Sequence, residues 1–418
     1  MASEPAREAV VVAIECINFS RAPIRVVCSV VAVLGLAGVG AAQEQEPTQG
    51  SSPGAKTNDY GAPVTSAKEK EGLQSIAFRL GLYSKDDSGD GTAAGNPFLD
   101  EDLTVIQPSM ILDWGLSDVS ALSLTASVDW VSSASIERLG DRTTFPGTQQ
   151  SGASGDYYVG LDVAYRRQLN STTRAGGHLG FGKEYDYLSI GAGGDLAWQG
   201  ADRNSTFSAS LNGYFDSIDL IRYNGIETGS DNRTSIAGTF KWNRVLDSAS
   251  SMQLGGTVSS QSGFLATPYN SVFVGGTTET SEVLPDSRMR FSLYGSYRHW
   301  VMEGGAAEFA SRIYTDDWGL TGLSFEPRWY QQVGDNLLMR FRYRYYDQSA
   351  ADYFGAFPVA ETYMTQDSDL GDFNSHTIGV RLIGYRNGLQ GWDAGLDYVM
   401  RDDDLDHIIA SFGYLWTF

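Results

Sequence analysis

The stretch LDHIIASFGYLWTF, residues 405–418, decides the fold. Side chains along a β-strand point alternately to its two faces, so residues two apart share a face. One face of this stretch is apolar or aromatic and consists of Ile408, Ala410, Phe412, Tyr414, Trp416 and Phe418. The opposite face carries Ser411, Gly413 and Thr417. The alternation therefore predicts a β-strand that lies between an apolar and a polar environment.

This apolar face with a C-terminal phenylalanine resembles the terminal strand of bacterial outer-membrane barrels. The resemblance implies that the barrel-assembly machinery recognises the strand through Phe412, Tyr414, Trp416 and Phe418. An antiparallel sandwich can also end in an alternating strand. An N-terminal export signal favours the barrel over the sandwich.

Short alternating segments recur from Leu73 to Phe418. They give about sixteen strands, an even number in the size range of porins. No segment in this region has the roughly 18 apolar residues of a membrane helix, so a membrane role must be built from strands. We predict an all-β fold: a transmembrane antiparallel up-and-down β-barrel over residues 73–418, located in the outer membrane.

The connections between these segments alternate between tight turns and long polar stretches. The tight turns, such as Leu246-Asp247-Ser248, carry turn-forming residues and are predicted to be periplasmic. The long stretches are predicted to be extracellular loops, and they lie near residues 84–102, 132–156, 217–232, 262–287 and 349–373.

The N-terminal segment, residues 1–42, is predicted to be a signal peptide. Arg21 and Arg25 precede an uncharged apolar stretch at 26–39, and small residues up to Ala42 follow it. The alternative is a retained membrane anchor, but the stretch is shorter than the ~20 residues of a membrane span. Residues 43–72 are polar and lack periodicity, which predicts a disordered periplasmic linker.

The formal charge of the 418-residue chain is -21, with an isoelectric point near 4.5. A protein that binds nucleic acid neutralises phosphates with basic residues, so no nucleic-acid partner is predicted. The predicted partners are outer-membrane lipid and lipopolysaccharide, together with the barrel-assembly machinery.

Two stretches resemble a family of bacterial outer-membrane barrels known as a domain of unknown function. The first is SGFLATPYN at 262–270 with LPDSR at 284–288, and the second is YRYYDQSAADYF at 343–354. The resemblance implies fold and location and assigns no activity. Some relatives occur beside extracytoplasmic flavin-transfer and redox proteins, which implies a periplasmic redox partner as an alternative role.

The inward faces of the predicted strands differ between the two halves of the chain. The first half carries small polar residues, such as Ser123, Thr125, Ser208, Ser210 and Thr239. The second half carries charges, and we predict that these line the lumen: Arg290, Arg298, Glu308, Arg312, Glu326, Arg328, Arg340, Arg342, Arg344, Arg381, Asp393, Asp397 and Arg401. Arginine is very costly against lipid, so the column at 340, 342 and 344 must face inward. Such residues either form an ion path or brace a closed barrel through ion pairs.

Acidic clusters concentrate in the predicted extracellular loops, as at Asp367 and Asp369. In the first loop, Asp86, Ser88 and Asp90 resemble the opening of a calcium loop, with oxygen donors at alternate positions. Pro97 stands where such a loop has its bidentate glutamate. A solvated loop is the alternative to a Ca²⁺ site, and no other cofactor is predicted.

No catalytic site is predicted, and we expect a protein without enzymatic activity. Asp406 and His407 could activate water, as in outer-membrane proteases, but the four histidines lie on scattered predicted strands. The sequence favours a passive pore for small solutes or ions. The alternatives are a closed barrel that supports a periplasmic redox or flavin-transfer system and, with less support, a protease at the rim.

Overall fold

The structure, a computed structural model, describes residues 71–87, 95–98, 101–133, 156–386 and 390–418. Sixteen strands form a closed antiparallel barrel, in which the first and last strands pair with each other. A separate hairpin, β10 and β11, lies in the loop between β9 and β12. The predicted barrel and strand number are confirmed.

The strands have the following bounds: β1 (Gly72–Asp87), β2 (Leu103–Ser117), β3 (Ser120–Ser133), β4 (Asp156–Gln168), β5 (Thr173–Lys183), β6 (Tyr187–Gln199), β7 (Ser205–Ile221), β8 (Glu227–Val245), β9 (Ser250–Gly263), β10 (Ser271–Val274), β11 (Thr278–Ser281), β12 (Ser287–Met302), β13 (Gly305–Asp316), β14 (Thr321–Val333), β15 (Leu337–Gln348), β16 (Phe373–Arg386), β17 (Gln390–Arg401) and β18 (Leu405–Thr417). A short 3-10 helix, Ser368–Leu370, precedes β16.

The outer face of the barrel is apolar and the inner face is polar. On β15, Phe341 is 45% exposed on the outside, whereas its neighbour Arg342 is 7% exposed and points inward. Large apolar side chains are exposed in the same way around the ring, as at Leu211, Leu293 and Ile378. A continuous exposed apolar surface on a closed barrel is the surface that lipid covers. The protein is therefore an outer-membrane β-barrel.

The two ends of the barrel differ in their connections. At the end where β1 begins and β18 ends, the strands are joined by short turns, and we assign this end to the periplasm. The predicted long loop at 217–232 is wrong, because β7 and β8 continue beyond the apolar belt and leave only residues 222–226 as a connection. Residues 184–186, 317–320 and 402–404 are also short connections at the extracellular end. The long loops are thus fewer than predicted.

The predicted signal peptide, 1–42, and almost all of the predicted linker, 43–72, lie outside the described residues and remain predictions. Within the part of the chain that the structure describes, no helix is long and apolar enough to cross a membrane.

Candidate functional site

The inner face of β12–β16 is strongly basic. We call its inward arginines the arginine wall: Arg288, Arg290, Arg298, Arg312, Arg328, Arg340, Arg342, Arg344 and Arg381. Among the described side chains of these strands, the inward carboxylates are Glu308, Asp316 and Glu326. The sequence placed all but Arg288 and Asp316 in the lumen. This side of the interior therefore holds more positive than negative charge.

A chain of ion pairs runs along the wall from β12 to β17. Glu308 lies between two arginines, 2.5 Å from Arg298 and 3.0 Å from Arg328. Arg328 also pairs with Glu326, which lies 3.8 Å from the Arg342 guanidinium. Except for the half-buried Arg298, these side chains are almost completely buried, so each charge depends on its neighbours for stabilisation.

This series of ion pairs ends at β17, where the Nε atom of Arg342 donates a hydrogen bond to Asp397 over 2.7 Å. The two residues lie on β15 and β17, on either side of β16. Gly379 of β16 is in register with both of them. A Cβ atom at this position would overlap the Asp397 carboxylate and lie 2.9 Å from Cγ of Arg342. The glycine therefore allows the ion pair to cross β16.

The same arrangement recurs between β17 and β1. Asp393 of β17 lies 2.6 Å from Arg381 and 3.6 Å from Arg79, which belongs to β1. Gly413 of β18 lies in register between Asp393 and Arg79, and a Cβ atom there would overlap the carboxylate. Two glycines thus permit ion pairs between strands that are not neighbours.

We expect Gly379→Ala to lower the free energy of unfolding by roughly 1–3 kcal/mol, because the new methyl group displaces Asp397 from Arg342. Urea unfolding of the refolded barrel in detergent micelles measures this change. Gly81→Ala is the matched control, since Gly81 also lies on an inner face and its Cβ would meet nothing closer than 3.7 Å. Equal stability losses in both variants would contradict a specific role for Gly379.

The first half of the barrel also carries inward charges. The prediction that its inward residues are small and polar is therefore wrong in part. The structure places inward acids on β2–β7, at Asp113, Asp129, Asp162, Asp195 and Asp216. Inward bases accompany them, including Arg166, Arg233 and Lys241. Each lies on the inward alternation of its strand, and this pattern was the signal by which the sequence could have identified them.

Between these two charged regions lies a wall of small polar side chains that are only half buried. We call it the hydroxyl wall, on the inner faces of β7–β9 and β12: Ser208, Ser210, Thr239, Thr257, Ser259, Ser292 and Ser296. Ser123 and Thr125 on β3 are 2% and 5% exposed, although they are equally small. The interior is thus packed with side chains near β3 and open along the hydroxyl wall. Barrels of 16–18 strands commonly enclose an aqueous channel.

Two loops cover the extracellular mouth, and we call residues 264–286 and 349–372 the cap. Asn96, in the loop after β1, donates to the carbonyl of Ser271 over 2.8 Å. The loop after β1 and the loop after β9 begin on opposite sides of the ring. Tyr269 likewise reaches the turn between β5 and β6, where it donates to Asp186. The cap therefore crosses the whole mouth.

The cap has its own apolar core. Leu265 from the first loop and Leu370 from the second are each 1% exposed, and both belong to one cluster with Trp318 from the turn after β13. Backbone bridges join the loops as well, for example between Val283 and Met364. The two loops thus form one packed unit.

Buried carboxylates meet within the cap: Glu282, Asp367 and Asp369 are all buried, although the sequence predicted that Asp367 and Asp369 belong to a solvated acidic loop. Burial raises the pKa of Glu282 to about 7. Burial and the charges of Asp369 and Glu101 raise the pKa of Asp367 well above its usual value. Burial also opposes ionisation of Asp369, but Lys85 and Arg401 outweigh it and hold the pKa of that carboxyl below its usual value.

Protein cations tie these carboxylates to the barrel wall. Asp369 lies 2.6 Å from Arg401 of β17 and 3.6 Å from Lys85 of β1. Lys85 also lies 2.5 Å from Glu101. Arg401, predicted to line the lumen, therefore holds the cap in place.

Two sets of oxygen ligands bear on the predicted Ca²⁺ site. Ser88 and Asp90 lie outside the described residues, while the Asp86 side chain is exposed on the outer face of β1. Among described residues, Glu101, Asp367 and Asp369 have carboxylate oxygens within 4.8 Å of one another. The ammonium group of Lys85 already lies among these oxygens. The prediction for the first loop stays a prediction.

The candidate protease pair is divided between the two faces of β18. Asp406 points outward and accepts a hydrogen bond from Tyr398. His407 is buried and points inward, where its Nδ1 atom lies 2.8 Å from the hydroxyl of Tyr83. The two side chains therefore do not face one site.

The residues of the predicted assembly signal lie on the outer side of β18. Phe412, Trp416 and Phe418 are exposed, and the rings of Tyr414 and Trp416 lie 4.3 Å apart. Their role in assembly stays a prediction.

A closed 16-stranded barrel with an apolar outer belt and a charged interior defines an outer-membrane β-barrel protein. The chain belongs to the family described as protein of unknown function (DUF3570), which matches residues 51–417. This confirms the family resemblance seen in the sequence. No curated protein matches the chain.

Several solved structures match a large part of this chain. A bacterial polysaccharide outer membrane secretin matches with a TM-score of 0.48 and 11% identity, over 82% of this chain and 98% of the secretin. The ferric enterobactin receptor of Pseudomonas aeruginosa has a TM-score of 0.44 and 11% identity, over 79% of this chain and 54% of the receptor. The siderophore receptor PirA of Acinetobacter baumannii has a TM-score of 0.43 and 8% identity, over 79% and 53%. This chain thus spans about half the length of the two receptors.

Proposed function

We propose that the protein is an outer-membrane channel for small polar or ionic solutes, closed at its extracellular mouth by the cap. The hydroxyl wall carries this proposal. Its serine and threonine side chains are only half buried, and we take this partial exposure as the sign of interior space beside them. A polar, partly open interior in a 16-stranded barrel provides a path for water and dissolved solutes.

The cap acts as a gate, because the channel conducts only when the cap opens. Its closure depends on one small apolar core and on ion pairs with barrel residues, such as Asp369 with Arg401. Local units with few buried apolar contacts open more easily than the body of a fold. The cap therefore opens while the barrel remains intact.

Single-channel recording on the refolded chain tests the proposal. Wild-type protein is expected to be closed for most of the time, with brief openings. The double variant Leu265→Ala, Leu370→Ala removes packing of about 2–5 kcal/mol per residue from the cap core. We expect its open probability to rise at least roughly tenfold, since ~1.4 kcal/mol corresponds to a factor of ten.

Leu169→Ala with Leu246→Ala is the control, because both leucines are exposed in periplasmic turns. It should behave as the wild type. Heat-modifiable gel migration establishes that each barrel is folded. A folded cap variant without conductance would exclude the channel.

A closed barrel that supports a periplasmic partner is the second candidate function. The buried ion pairs favour it, because Arg298, Glu308 and Arg328 stabilise one another whether or not solutes pass. Permanent silence of the folded cap variant is the result expected for this function.

A further inference from the structure

We propose that the channel selects small oxyanions, at a site formed by Lys241 and Arg312 between the hydroxyl wall and the arginine wall. This inference rests on the proposed channel function and specifies its solute class. The net charge of the whole chain is negative, but anion selection depends on the charges that face the lumen.

The distribution of charge around the ring supports selection of anions. The arginine wall gives β12–β16 a net positive inner face, while inward acids lie on β2–β7. β14 and β4 are eight strands apart in the closed ring, so the basic and acidic regions face each other. Opposed charges of this kind produce a field across the lumen. Anions are drawn to the side of the arginine wall.

Two cations lie where the arginine wall meets the hydroxyl wall. Lys241 is a buried inward residue of β8, and Arg312 is a half-buried inward residue of β13. The register Lys241–Gly255–Tyr294–Arg312 places them on one line across β8, β9, β12 and β13. The Tyr294 ring lies over Gly255, between the two cations. β9 and β12 lie between them, and the described inward side chains of β9 are uncharged. The Tyr294 hydroxyl is buried and has no hydrogen-bond partner among the described residues. An oxyanion that accepts a hydrogen bond from it lies on the register line of the two cations.

The surrounding side chains suit an oxyanion. Thr239 and Thr257 of the hydroxyl wall are hydrogen-bonded to each other over 3.0 Å and belong to β8 and β9. Hydroxyl groups donate hydrogen bonds to carboxylate or phosphate oxygens, and a guanidinium group matches the geometry of both. The site therefore suits a small solute with a carboxylate or phosphate group.

The test measures reversal potentials across a KCl gradient, in the Leu265→Ala, Leu370→Ala background that opens the cap. We expect preference for chloride over potassium, and partial block of the current by inorganic phosphate. Lys241→Gln with Arg312→Gln should lower the chloride-to-potassium permeability ratio by roughly threefold or more and abolish the block. The charge-keeping variant Lys241→Arg, Arg312→Lys should restore the preference.

Arg167→Gln with Lys183→Gln is the matched control, because it removes two positive charges from exposed side chains on the outer face. It should leave selectivity as it was. A cation-selective channel, or a Lys241 and Arg312 variant with unchanged selectivity and block, would overturn the inference and leave the channel function standing. A folded, cap-opened barrel without any conductance would instead overturn the channel function.

Discussion

Replacing Glu308 by alanine is expected to lower the free energy of unfolding of the barrel by roughly 3–5 kcal/mol, the cost of breaking a buried ion pair. Glu308 is 4% exposed and accepts hydrogen bonds from Arg298 and Arg328. Its loss leaves two guanidinium groups in a low-dielectric wall without the carboxylate that stabilises them. Repulsion between the arginines then adds to the cost of their burial.

Urea unfolding in detergent micelles, followed by tryptophan fluorescence, measures this change. Glu303→Ala serves as the control, because Glu303 is exposed in the periplasmic turn between β12 and β13. Its removal should change stability by less than about 0.5 kcal/mol. Unfolding midpoints for Glu308→Ala that match those of the control would show that the ion-pair chain contributes nothing to the barrel.

Raising the pH from about 5 to about 8 is expected to destabilise the closed cap. Glu282 has an ordinary pKa of 4.5, and burial raises it to about 7 in the closed cap. A carboxyl group of this kind binds its proton more tightly when buried. Its contribution to closure is therefore complete below 4.5 and is lost as the pH rises through 7. Asp367 acts in the same direction, because its pKa is also raised.

Asp369 acts in the opposite direction, but at lower pH. Its pKa lies below the ordinary value of 3.8, so its contribution to closure is present above that value and is lost only in stronger acid. Between pH 5 and 8, Asp369 remains ionised and pairs with Arg401. The change in cap stability between pH 5 and 8 is therefore determined by the ionisation of Glu282 and Asp367.

Chymotrypsin cleavage of the cap reports its opening, since the cap contains Tyr269, Phe357 and Tyr363. The rate, normalised to a peptide substrate at each pH, should rise severalfold from pH 5 to pH 8. Glu282→Gln with Asp367→Asn should remove most of this dependence, because neither side chain then ionises. Glu361→Gln alters an exposed residue of the same loop and should retain it. A pH profile shared by all three proteins would refute the carboxylate mechanism.

The sequence predicted those parts of the structure that depend on alternation along a strand. Arg340, Arg342 and Arg344 point inward because Phe341 and Tyr343 between them contact lipid, and this requirement is local. Alternation is weaker where β7 and β8 continue beyond the apolar belt. The polar ends of these two strands were therefore predicted to be a loop, although the backbone of β7 remains paired with β8 from Asp216 to Ile221.

The cap could not be predicted in this way. Asp367 and Asp369 are polar residues in a loop, and only contacts with distant parts of the chain bury them. Asn270 donates to Asp367 over 3.0 Å, and Arg401 pairs with Asp369. Such contacts depend on which loops meet above the mouth, and no periodic pattern encodes that arrangement. The inward acids of the first half, in contrast, followed the alternation.

The glycine crossings have a mechanical consequence. Arg342 and Asp397 join β15 to β17 over Gly379, and Asp393 and Arg79 join β17 to β1 over Gly413. Each pair acts as a strut that resists sliding of the intervening strand along its neighbours. The struts on β15–β18 and β1 make this arc stiff, so we expect thermal changes in the cross-section of the barrel to be smaller here than in arcs without such struts.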